Sequence, residues 1–190
     1  VSKNSFEQQK RKFYHFVSKQ ALNIVDLGPK IIDVLLQENL ITEYADIFTL
    51  KKGDLISLPR FGEKSVDNLL ESIERCKKTT LPRLLIGLSI PQVGEETAYD
   101  LVEHFKIIEN LQNAKFEDLE KIEGVGPIVA NSIVDFFRNK ENQKIVKNLL
   151  KYIVIEKETK IVKDVFKNKT FVLTGTLSTL SRDEAKERIK

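Results

Sequence analysis

The sequence predicts an all-α protein whose body, residues 21–150, is built from four tandem units of helix, short glycine turn and helix. Two observations predict it. Gly28, Gly62, Gly94 and Gly126 stand in similar settings, separated by 34, 32 and 32 residues, and a fixed period of that length marks repeated supersecondary units. Apolar and small residues follow each glycine at helical spacing, while almost nothing before residue 150 alternates at period two. Strands are therefore not expected in that region.

The elements follow in order. Residues 1–20 read as a basic helix; through residue 30 the chain carries Lys3, Lys10, Arg11, Lys12, Lys19 and Lys30 against Glu7 and Asp26. Such a run is compatible with nucleic acid, although a solvated helix face is its commoner explanation. The four turns are "IVDLGPKIIDVL", "LPRFGEKSVDNLLESI", "LSIPQVGEETAYDLV" and "IEGVGPIVANSIVDFF", with Leu27, Phe61, Val93 and Val125 before the glycines. Short helical patterns precede them, as in "EYADIFTLKKGDLISL" and "KFEDLEKI", whose polar starts suit capping. Residues 151–168 read as a linker. A helix follows near Arg182, with Ser181 as N-cap and Glu184 completing a capping box.

Bulk properties bound the function. A chain of 190 residues with 41 % hydrophobic content holds one or two real cores. No apolar run approaches the roughly 18–20 residues that cross a bilayer, and the first residues lack a signal-peptide apolar region. A single cysteine, Cys76, excludes an internal disulfide and a cysteine-cluster metal site, and fits a reducing cytoplasm. The net charge of +3 is too small alone to prove an acidic partner. Without Met at position 1, and ending inside the charged pattern "SRDEAKERIK", the chain reads as a piece of a longer protein.

The glycine turn has a chemistry of its own. Glycine permits positive φ and leaves no Cβ to block a close approach. At a helix start, unpaired N–H groups point outward beside the positive end of the helix dipole, a ready phosphate site. A dinucleotide-binding loop would need a preceding strand and a third glycine, and a Walker loop Gly-Lys-Ser/Thr; "GVGPIVA" has neither. For one such turn, a plain helix junction is the commoner reading. Four copies at one period favour phosphate.

The form apolar–x–Gly–apolar–Gly–x–x–x–Ala, complete at Ile122, Gly124, Val125, Gly126 and Ala130, resembles the helix-hairpin-helix motif, which binds the DNA sugar-phosphate backbone without reading sequence. In the other copies Asp26, Arg60 and Gln92 replace the first glycine, making them either weaker phosphate sites or packing units. Four such hairpins followed by "NKTFVLTGTLSTLSRDEAKERIK", with the blocks "HFVSKQALNI" and "RFGEKSVDNLLESI", resemble the C-terminal part of bacterial NAD-dependent DNA ligases over essentially the whole chain. Residues 169–190 are similar to the opening of a BRCT domain, an incomplete α/β segment, which implies a strand at Thr170–Leu173 and a turn through Gly175.

That resemblance implies a parent enzyme using NAD and Mg to seal nicks in replication and repair. Its adenylated lysine and catalytic fold would lie upstream, so no catalytic residue and no cofactor are expected in this chain. Its partners would be duplex or nicked DNA and the ligase's other domains. It would be a cytoplasmic, nucleoid-associated monomer with no membrane contact. Phosphates would meet N–H groups at Gly28, Gly62, Gly94, Gly124 and Gly126, with Lys30, Lys64 and Arg60 adding charge. The family's four-cysteine zinc finger should end within "VSKNSFEQQ", where Val1 and Phe6 stand instead. Either the finger is degenerate or absent, or the chain begins beyond an unusual one; no zinc is expected. The rival reading is a hairpin subunit or scaffold of a nuclease or repair complex that makes protein contacts. A purely structural helical repeat is the third. His15 and His104 are expected to pack or face solvent, Cys76 to be incidental, and Glu95-Glu96 and Glu117-Asp118 to complement helix dipoles.

Overall fold

The computed structural model describes residues 3–59 and 61–156. The expectations for Arg60, for most of the 151–168 stretch and for the BRCT-like 169–190 lie outside the described residues. Helix α1 (Lys3–Val17) is followed by α2 (Pro29–Gln37), a 3-10 helix (Tyr44–Thr49), α3 (Lys52–Ile56) and α4 (Glu63–Cys76). Strand β1 (Lys78–Thr80) leads into α5 (Leu81–Gly87) and α6 (Glu95–Phe105). Then come α7 (Ile108–Gln112), α8 (Phe116–Leu119), α9 (Pro127–Arg138), α10 (Lys140–Leu149) and β2 (Val154–Glu156).

The period in the sequence is a period in space. Four helices start on a glycine N-cap: α2 on Gly28, α4 on Gly62, α6 on Gly94 and α9 on Gly126. Before each, a tight turn bonds the preceding N–H to a carbonyl three residues back: Leu27 to Ile24, Phe61 to Leu58, Val93 to Ile90 and Val125 to Ile122. After each, the first helical bond reaches the glycine carbonyl from Ile32, Val66, Ala98 or Ala130, all fully buried. One turn later Leu35, Leu69, Leu101 and Ile133 are fully buried too. Positions four and seven residues past each glycine lie on one helix face, so each unit turns the same stripe into a shared core.

Three details differ from the sequence expectation. Residues 18–27 form successive turns, not a helix, so the first glycine is preceded by α1 only at a distance. The region before residue 150 does contain a strand: β1 pairs in parallel with β2, Lys78 opposite Val154 and Thr80 opposite Glu156. Three residues are too few to show a period of two, and the partner is far along the chain. Strand β2 falls inside the stretch read as a linker, where Ile153 is buried and Val154 N–H bonds the Lys77 carbonyl at 2.7 Å; the first compact unit runs from Val1 to Glu156.

Aromatic packing holds the N-terminal helix. Phe16 stacks on Tyr44 at 4.3 Å, and Phe13 meets the same ring edge-on at 5.2 Å, geometries that add to area burial. Burial pushes the Tyr44 hydroxyl up to about 12. Gly87 lets α5 close on this cluster: a Cβ there would meet Leu22 Cδ1 at 3.0 Å and Phe16 Cδ2 at 3.2 Å. Arg83 donates to the Ala21 and Lys19 carbonyls at 2.8 and 2.7 Å, fastening the turn segment to α5. At the far end, Asn148 on α10 donates to Glu43 at 2.9 Å, joining the last helix to the 3-10 helix.

Candidate nucleic-acid interface

The four glycine N-caps share a geometry that the protein's own packing does not require. Their φ values are −78° at Gly28, −101° at Gly62, −92° at Gly94 and −80° at Gly126, backbone any residue adopts. An added Cβ at any of them would meet nothing within 4 Å. As glycines, the four N-cap residues supply no side-chain cap to their helices. In contrast α10, which is not part of a glycine turn, has Asn139 accepting from the Glu141 and Asn142 N–H groups, the ordinary way to satisfy a helix start.

Positive φ falls at the first-glycine position of the turn, two residues before the N-cap. Gly124 has φ +80°, and the residues in its place are Asp26 at 68° and Gln92 at 65°. The left-handed residue reverses the chain; the second glycine then stands at the helix mouth. Around α9, Pro127 has no N–H to offer, and the Ile128 and Val129 N–H groups have no partner among the described residues. These are orphan donors at a positive helix end.

The four mouths differ in charge. Two residues past the glycine stand Lys30, Lys64, Glu96 and Ile128, all exposed, Ile128 at 75 %. The third mouth carries Glu95 and Glu96 in its first turn. A cleft of about 860 Å³ beside it is lined by Glu96, Asp100, Glu103 and Glu123 with Lys121 and His104. A groove of about 810 Å³ runs between the first two turns, lined by Asp26, Gly28, Lys30, Phe61, Ser65 and Asn68. Glu117 and Asp118 lie in the first turn of α8, and Asp118 pairs with Lys121 at 2.8 Å.

Other candidates have structural settings. His15 Nε2 lies 2.9 Å from the Ile86 carbonyl, and the His104 ring packs on Phe105. Cys76 is the last residue of α4; its thiol points at the Asn23 carbonyl, 3.4 Å away. Burial pushes that thiol up, against the pull of Arg83 and Arg75, the reverse of what a nucleophile needs. Among the described residues no three His, Cys, Asp or Glu side chains group as metal ligands, and no helix is long and apolar enough to cross a membrane.

Residues 83–146 match the helix-hairpin-helix motif family, and residues 19–75 match the SAM-like helix-hairpin-helix tandem. Over 184 residues the chain is 44 % identical to a DNA ligase of Coxiella burnetii (strain CbuK_Q154), covering 96 % of this chain and 27 % of that protein. DNA ligases of Anoxybacillus flavithermus and Thermoanaerobacter pseudethanolicus are 45 % and 46 % identical, over 93 % and 92 % of this chain and 27 % of each relative. Along almost its whole length the chain matches one segment of bacterial DNA ligases. It spans about a quarter of the length of the ligases it matches. The two matched helix-hairpin-helix regions enclose all four glycine turns.

Proposed function

We propose that this ligase segment holds duplex DNA by its backbone, without reading sequence, while the rest of an NAD- and Mg-dependent enzyme seals the nick. One observation carries the reading: four glycines stand at the N-cap position, where they offer no capping side chain and where neither dihedral angles nor packing among the described residues calls for glycine. What they leave room for lies outside the chain, and free N–H donors at a positive helix end suit phosphate. All four turns are read as helix-hairpin-helix units. Gly28, Gly62 and Gly126 would take phosphates, with Gly124 shaping the fourth mouth and Lys30, Lys64 and Arg60 adding charge. Gly94 would contribute least, because Glu95 and Glu96 repel an approaching phosphate. Phosphate contacts position a duplex and leave its bases unread.

The test is titration of labelled nicked and intact duplexes of unrelated sequence at several salt concentrations. Binding is expected to be indifferent to sequence, with log K falling against log salt by about 0.9 per phosphate contacted. Absence of binding at low salt, or binding flat across salt, refutes the proposal. Incubation with labelled NAD is expected to leave the chain unlabelled, since the adenylated lysine would lie upstream.

A further inference from the structure

The chain through Glu156 is close to neutral, with 22 Lys and Arg against 23 Asp and Glu, so its attraction for a polyanion depends on where the charges lie. Several lysines are locally neutralised: Lys10 by Glu7 and Asp33, Lys52 by Asp67, Lys77 by Glu74 and Lys121 by Asp118. On α10 the pattern is different. Lys140, Lys144 and Lys147 stand at i, i+4 and i+7, hence on one face, and all three are exposed. The opposite face is committed: Val146 and Leu149 are fully buried, and Asn142 donates to the Phe136 carbonyl. Arg138 and Lys151, just outside the helix, are exposed as well. None of the three stripe lysines pairs with a carboxylate among the described residues.

Glu141 in the first turn and Lys147 in the last complement the helix dipole, but the stripe carries its own repulsion. Like charges one turn apart repel, and Lys140 lies at the positive end of the helix dipole. An anionic occupant would reverse the sign of both effects. The rest of the chain is a poor candidate: residues 157–190 hold nine Lys and Arg against five Asp and Glu. From Lys140 to Lys147 the helix rises about 10 Å, which lying along a duplex matches about three nucleotides of one strand at roughly 3.4 Å of duplex axis each.

We propose that α10 is a second contact for the DNA backbone, made by Lys140, Lys144 and Lys147 and separate from the glycine turns. It rests on the DNA-binding reading above. The test compares the full chain with the triple variant Lys140→Gln, Lys144→Gln, Lys147→Gln on an intact labelled duplex across several salt concentrations. A control triple, Lys78→Gln, Lys106→Gln, Lys115→Gln, removes the same charge from other exposed positions. The α10 variant is expected to lower the log–log slope by about 2.7, at 0.9 per contact, with a thermal melt no lower than the parent's, and the control to keep the parent slope. Equal loss in both triples would mean that only net charge matters, and an unchanged slope in the α10 triple would mean no contact there; either overturns the proposal while leaving the DNA-binding reading intact. Failure of the unmodified chain to bind overturns both.

Discussion

Replacing Gly126 by valine separates what the fold needs from what the ligand needs. At φ −80° and ψ 176° the backbone already suits a β-branched residue, and the new Cβ meets no protein atom within 4 Å. The cost to folding is that of a poorer N-cap, about 0.5–1 kcal/mol. The cost to binding is expected to be larger. The valine would stand where phosphate approaches the Ile128 and Val129 N–H groups, and losing one charge-assisted hydrogen bond costs roughly 1.5–3 kcal/mol. That is about a 10- to 150-fold loss of affinity. Fluorescence anisotropy with a labelled duplex measures it, alongside circular dichroism and a thermal melt. The same substitution at Gly94 is expected to cost less, because Glu95 and Glu96 already disfavour phosphate there. A folded Gly126→Val chain that keeps full affinity would show the turn to be a packing device, and the phosphate assignment would be wrong.

Gly124, at φ +80°, is expected to lose about 1 kcal/mol on change to alanine, whereas Gln92→Gly, at φ 65°, is expected to stabilise by up to about 1 kcal/mol; urea titration reads both. Gly87→Ala is expected to destabilise by about 1 kcal/mol, since Leu22 and the stacked Phe16 ring leave its Cβ too little room, and a lowered melting temperature would register it. Tyr44 ionises near 10 when unfolded but only at about 12 when folded. Its contribution is therefore fully present below pH 10 and lost as pH rises toward 12, on the order of 2–3 kcal/mol. Tyr44→Phe should remove that part of the alkaline slope, which unfolding curves at pH 9 to 12 would reveal.

The sequence by itself determined the period, the four glycine turns and the buried stripe behind each, because a helix converts spacing directly into a face. It also located the first-turn acids and the ligase resemblance. It left the left-handed residue unplaced: glycine tolerates positive φ, but Asp26 and Gln92 adopt that angle while Gly126 does not. The signal that could have found it was the shared position of Asp26, Gln92 and Gly124, two residues before each glycine. Strand β1 was illegible because its partner lies beyond α10, and Gly87 because its neighbours come from α1 and the turn after it. The lysines of α10 were visible as letters, but their meaning required knowing that Val146 and Leu149 face inward and that, among the described residues, no carboxylate pairs with the three lysines. Local geometry is written in spacing along the chain. Proximity between distant segments, and the side on which a charge is left unpaired, are settled only when those segments pack.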